Sequence, residues 1–151
     1  MTPTKILVPI DFSSCSEQAL DYAVSLAEKL GATVHMISAI TIPVLGVPEL
    51  GVGLTSTMLD KLAVDNQTAL DKLAAARNDK KIIGQVLIRT GDARDVILQT
   101  AEELKADLIV MGTHGRRGIS RVLLGSVTEM VVRTAPIPVL TVRGRQSRIA
   151  A

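Results

Sequence analysis

Five short apolar segments alternate with amphipathic helical segments along this chain, and that alternation restricts the fold more than any other feature. KILVPI (5–10), ATVHMISAI (32–40), IIGQVLIR (82–89), DLIVMG (107–112) and IPVLTV (137–142) are apolar runs rich in β-branched residues. Runs of this kind suit strands buried on both faces. Between the first two runs, Ala19, Leu20, Ala23, Leu26, Ala27 and Leu30 recur at helical spacing, and Gly31 stands where a C-terminal cap belongs. Leu59, Leu62, Ala63, Ala69, Leu70 and Leu73 mark a second helix; Val96, Ile97, Ala101 and Leu104 a third; Ser126 to Thr134 a short fourth. Ser14 with Glu17, and Ser126 with Glu129, have the S-x-x-E spacing of capping boxes. Strands that alternate with helices predict an α/β domain with a five-stranded parallel sheet and helices on both faces.

At 151 residues the chain has room for one domain, expected over 1–143, with a flexible tail at 144–151. Only Phe12 and Tyr22 are aromatic, which argues against a reader of single-stranded nucleic acid, since those need stacking platforms. The net charge of +2 gives no case for nucleic acid either. Several basic residues gather late, at Arg116, Arg117, Arg121, Arg133, Arg143, Arg145 and Arg148, where a local cationic region would suit a phosphate. The single Cys15 fits a reducing compartment. MTPTKILVPID lacks a signal-peptide h-region, and no apolar run has the length of a membrane helix. The expectation is a cytoplasmic protein without membrane partners.

A parallel sheet of this type binds ligands at the carboxyl ends of its strands, where strand order reverses. That rule points to Pro9–Asp11 after the first strand and Gly112–Gly115 after the fourth. Behind the fourth strand runs GTHGRRGISRVLLGS (112–126), about twice as long as an ordinary strand-to-helix connection. Gly112 and Gly115 allow a tight turn and close approach of the backbone to a ligand. Gly125 and Ser126 open a helix, whose first N–H groups and dipole attract an anion. No G-x-x-x-x-G-K-[ST] occurs, no G-x-G-x-x-G follows the first strand, and the protein kinase signatures are missing. The segment 41–56, TIPVLGVPELGVGLTS, is apolar despite its Pro and Gly content, and is expected to act as a lid or an association surface.

The spacing Gly112-x-x-Gly115, nine residues, then Gly125-Ser126 resembles the nucleotide motif of the universal stress protein family. The resemblance spans nearly the whole chain: KILVPIDFS looks like that family's opening strand and loop, VHMISAI its second strand and TAPIPVLTVR its closing strand. It implies a Rossmann-like domain of the adenine nucleotide alpha hydrolase type, homodimeric, binding ATP and acting in stress tolerance. It also implies that Pro9 and Asp11 meet the nucleoside, with Asp11 near the ribose, and that Ala39 holds the adenine. Met111 would lie in the core beneath the ligand. Gly112, His114 and Gly115 would line the ribose and phosphates, and Gly125, Ser126 and Val127 would bind the phosphates. A divalent cation such as Mg or Mn would be held by the phosphates rather than by protein side chains. The closing strand, Val139, Leu140, Thr141 and Val142, would form the dimer contact.

Arg116 and Arg117 divide evenly between phosphate contacts and solvated loop surface. His35, within a strand pattern, reads as structural, and Cys15 as an inert thiol. No residue is clearly committed to activating water, so the expectation is a regulatory module rather than an efficient enzyme. Two alternatives stand: a nucleotide-independent dimeric interaction protein, and a sensor of AMP or a cyclic nucleotide.

Overall fold

In a computed structural model, which describes residues 1–42, 56–78, 80–114 and 124–145, these residues form nine elements that alternate between strand and helix. They are β1 (Lys5–Pro9), α1 (Ser14–Leu30), β2 (Thr33–Ile40), α2 (Ser56–Ala75), β3 (Ile83–Thr90), α3 (Ala93–Leu104), β4 (Leu108–Gly112), α4 (Ser126–Thr134) and β5 (Val139–Val142). The five strands make one parallel sheet in the order β3-β2-β1-β4-β5. The chain moves outward from β1 through β2 to β3, then restarts on the other side of β1 at β4. The reversal therefore lies between β1 and β4, as the sequence predicts.

Alternate residues of each strand feed two separate cores. Ile6, Val8, Val34, Met36, Leu108 and Val110 pack with Ala19, Leu20, Ala23 and Ala27 of α1 and with Leu70 and Ala74 of α2. Leu7, Ile37, Ile109 and Met111 face the other way, against Val96, Ile97 and Ala101 of α3 and Val131 of α4. β1 and β4 are buried almost throughout because they are central and covered on both sides. β5 is an edge strand and stays half-exposed.

Helix ends follow local chemistry, and the start of α1 shifts from expectation. Gly31 adopts φ 69° and closes α1 as a left-handed cap. Asp92 caps α3, accepting from the Asp95 N–H at 3.2 Å. The N-cap of α1 is Ser13 rather than Ser14: its hydroxyl accepts from the Ser16 N–H at 3.2 Å. The reason lies two residues upstream, where Asp11 holds Ser13 in the extended conformation that a cap needs.

At the amino edge of the sheet, Asp107 ties β1 to β4. Its carboxylate accepts from the Thr4 N–H, the Thr4 hydroxyl and the Lys5 N–H at 2.9–3.1 Å. Partial burial pushes its pKa up, but these donors together outweigh that and leave it below the usual value. A carboxylate with a depressed folded pKa adds stability above its unfolded pKa and loses it as pH falls through the folded value. Asp107→Asn should therefore cost about 1–2 kcal/mol at neutral pH, and the gap to the parent should close below about pH 4. Urea unfolding as a function of pH measures both.

His35 is structural for a reason that only pairing reveals. Between Val34 and Met36 the β2–β3 register slips, because β3 carries an extra residue at Gly84–Gln85. The Gln85 N–H donates instead to His35 Nδ1 at 3.0 Å. A Cβ on Gly84 would lie 2.7 Å from His35 Cε1, so only glycine admits the ring. Burial first, and then the charge of Lys5, lower the His35 pKa. The neutral ring thus contributes stability above its unfolded pKa, and this is lost as pH falls toward the lower folded value. Stability should decline from about pH 6.5 downward, and less so in His35→Asn, whose side-chain oxygen can accept the same N–H. Chemical denaturation between neutral and mildly acidic pH checks it.

Candidate functional site

The carboxyl ends of β1 and β4 lie side by side at the reversal of strand order, and three short stretches converge there. The first is the turn from β1 into α1. Pro9 is half-buried at the end of β1, registered with Ile37 of β2. Asp11 follows, its Oδ1 accepting from both the backbone N–H (2.9 Å) and the hydroxyl (2.5 Å) of Ser13. Between them Phe12 adopts φ 62°, a left-handed conformation that bulky residues avoid. The strain and the two Ser13 bonds fix the Asp11 carboxylate at the sheet edge.

The second stretch is the end of β4. Met111 is buried in the α3/α4 core, as expected for a residue beneath the site. Gly112 is also buried, and the place of its missing side chain is on the α1 side of the sheet. A Cβ there would lie 2.7 Å from Cys15 Sγ and 2.9 Å from the Cys15 carbonyl carbon and oxygen. Gly112 thus has a packing reason beside the expected one of ligand approach: α1 enters so close to β4 that no side chain fits. Cys15 is buried there, its thiol donating to the Val142 carbonyl at 3.7 Å, which agrees with an inert role.

His114 comes next, partly buried. Its Nδ1 lies 3.0 Å from the Thr113 hydroxyl, while Nε2 is shielded from solvent and has no hydrogen-bond partner among the described residues. A buried polar atom without a partner is uncommon and asks for one. Gly115, Arg116, Arg117 and Arg121 lie outside the described residues, as does most of the 41–56 segment.

The third stretch is the start of α4. The expected Ser126–Glu129 capping box does not form. Gly125 is the N-cap, with no side-chain cap bond, and Ser126 is the first helical residue and exposed. Glu129 pairs instead with Arg133 one turn on, at 2.8 Å, which removes the second half of the box. Capping therefore does not account for Ser126. Two bonds tie this helix end to β4: the Gly125 N–H donates to the Thr113 carbonyl at 2.6 Å, and the Thr128 hydroxyl to the Gly112 carbonyl at 2.9 Å. Thr113 and Thr128 were not singled out in the sequence. A threonine at the third helical position was the available signal, but its partner lies across the loop. Val127 is half-buried against the α3/α4 core.

Ala39 sits near the end of β2 on the same face as Ile37 and Met111, packed against the α3/α4 cluster. Strand alternation puts Pro9 on that face too. The edge thus presents an apolar floor, a fixed carboxylate, an imidazole nitrogen without a partner among the described residues, and a helix start whose N-cap, Gly125, makes no side-chain cap bond. Such a set suits a ligand with a flat apolar part, hydroxyls and an anionic end. Among the described residues no group of three His, Cys, Asp or Glu side chains could hold a metal ion. No described helix is long and apolar enough to cross a membrane.

Comparison with known proteins gives a consistent pattern. Residues 3–143 match the model of the universal stress protein family. The universal stress protein MJ0531 of Methanocaldococcus jannaschii is 35% identical over 140 residues, covering 92% of this chain and 81% of its own. The structure of MJ0577, reported as a structure-based assignment of biochemical function, superposes with a TM-score of 0.84 at 27% identity, covering 97% of this chain and 100% of the other. A universal stress protein solved in complex with cAMP shares the fold, with a TM-score of 0.65 at 24% identity over 96% of this chain and all of the other.

Proposed function

We propose, from the premise that this chain belongs to the universal stress protein family, that it is an adenine-nucleotide-binding regulatory module whose principal ligand is ATP. The observation that carries this reading is the uncapped start of α4 beside the β4 end. Helices α1 and α3 satisfy their first N–H groups with Ser13 and Asp92, while α4 has no such cap. Those N–H groups and the positive end of the helix dipole suit the phosphate tail, with the Ser126 hydroxyl as a further donor. Asp11 accepts from the ribose hydroxyls, and Pro9 and Ala39 give the adenine an apolar bed. His114 Nε2 finds its partner in the bound nucleotide. Gly115 and Arg116 complete the loop between the two half-sites. A solved protein of this fold holds cAMP, an adenine nucleotide, which supports the ligand class. Any Mg or Mn ion would ride on the phosphate oxygens.

The module is not an efficient enzyme in this reading. Among the described residues no carboxylate or imidazole is placed as a committed base for water, so turnover should be slow. Purified protein given ATP should release phosphate no faster than an Asp11→Ala control; fast turnover lost in that control contradicts this part. The module works in the cytoplasm as a homodimer through β5. At the opposite edge, β3 is blunted by its bulge, and the Gln67 side chain donates to the Val86 carbonyl at 3.3 Å. β5 shows neither device among the described residues, so Val139 to Val142 offer the sheet edge open to pairing. Sedimentation equilibrium should give a dimer, and Thr141→Pro should make it a monomer, because proline removes a ladder N–H.

A further inference from the structure

The site so far has a helix dipole and N–H groups at its anionic end, but no cation among the described residues. We infer that Arg143 supplies it, as a charge-matching residue for the phosphate tail. The inference rests on the nucleotide reading above.

The placement follows from register. Gly112 of β4 pairs with Val142 of β5, and the Thr113 N–H donates to the Val142 carbonyl at 3.0 Å. The next residue, Arg143, is therefore level with the Thr113–His114 end of β4, at the carboxyl edge. Its direction follows from alternation. Leu140 and Val142 pack with the α1/α2 core and Val139 with the α3/α4 core. The alternation continues past the strand, because the absent side chain of Gly144 points at Cys15 of α1, 3.4 Å from Sγ. Arg143, between Val142 and Gly144, thus faces the α4 side of the sheet, where the uncapped helix start lies. It is exposed and makes no ion pair with a carboxylate among the described residues. By contrast Arg77, Arg89, Arg94 and Arg133 each pair with a carboxylate. An arginine left unpaired at an anion site is suited to bidentate contact with phosphate oxygens.

The test is calorimetric titration of the full chain with ATP and with adenosine, using Arg143→Ala, Arg143→Lys and, as a control for lost charge, Arg133→Ala. Arg143→Ala should weaken ATP binding about tenfold while adenosine changes less than about twofold, since only the charged end is affected. Arg143→Lys should recover part of the loss, and its ATP affinity should stay salt-dependent. Arg133→Ala, at the far end of α4, should match the parent. An equal loss for ATP and adenosine would show a structural role and overturn the inference, as would unchanged ATP affinity in Arg143→Ala. If the parent binds neither ligand, the nucleotide reading itself fails and the inference falls with it. If the parent binds both and Arg143→Ala is silent, only the inference fails.

Discussion

A Gly112→Ala variant is expected to lose about 3 kcal/mol of stability, with a fall in melting temperature of roughly 8 °C. The added methyl would sit 2.7 Å from Cys15 Sγ and 2.9 Å from the carbonyl carbon and oxygen of Cys15. The thiol could turn aside, but the backbone of the first turn of α1 has nowhere to go. It is held by the Ser13 cap, by Asp11 and by the buried Ala19 and Leu20. The double variant Gly112→Ala/Cys15→Ala should therefore regain only the part of the loss due to sulfur. Full recovery on removing the thiol would mean that the backbone contact matters little. The effect should appear in thermal melts without any ligand, which separates it from a binding defect.

The second large effect is expected at Asp11. Asp11→Asn keeps a side-chain oxygen for the Ser13 N–H and hydroxyl, so α1 should start normally and stability should change by less than about 1 kcal/mol. Nucleotide binding should nonetheless weaken by about tenfold to a hundredfold, because a carboxylate accepts from a ribose diol far better than an amide. Adenosine and ATP should lose similar factors, since both carry that diol, whereas 2′,3′-dideoxyadenosine triphosphate should be nearly indifferent to the change. Equal sensitivity of the dideoxy analogue would place Asp11 elsewhere. The opposite patterns expected for Asp11 and Arg143, one sugar-dependent and one phosphate-dependent, map the two ends of the ligand independently.

The order of elements was legible because each strand is a continuous apolar run and each helix a periodic one. Their ends were less so. IPVLTV reads as a strand from Ile137, but β5 begins only at Val139: the Pro138 carbonyl accepts from the Ile109 N–H at 3.0 Å, while Pro138 has no N–H to give in return. The cap expected at Ser14 falls on Ser13, without a box, because Asp11 decides which serine is extended. The box at Ser126 failed because Gly125 takes the N-cap position and puts Ser126 inside the helix, while Glu129 pairs with Arg133. Both outcomes depend on side chains outside the four-residue motif. The packing role of Gly112 and the bulge filled by His35 depend on partners far away in sequence, Cys15 and Gln85, which no local pattern names. The convergence of the β1 and β4 ends, where the candidate site lies, was legible because topology alone puts them together.

The most direct measurement is of the nucleotide itself. Protein purified without added ligand should release an adenine nucleotide on heating, identifiable by chromatography. The stripped protein should then bind ATP by calorimetry, with one site per chain and an affinity that falls in Asp11→Asn. Absence of any co-purified nucleotide, together with no heat from ATP, ADP, AMP or cAMP at millimolar concentration, would contradict the assignment. It would leave instead a dimeric interaction protein whose glycines serve only to fit β4 against α1.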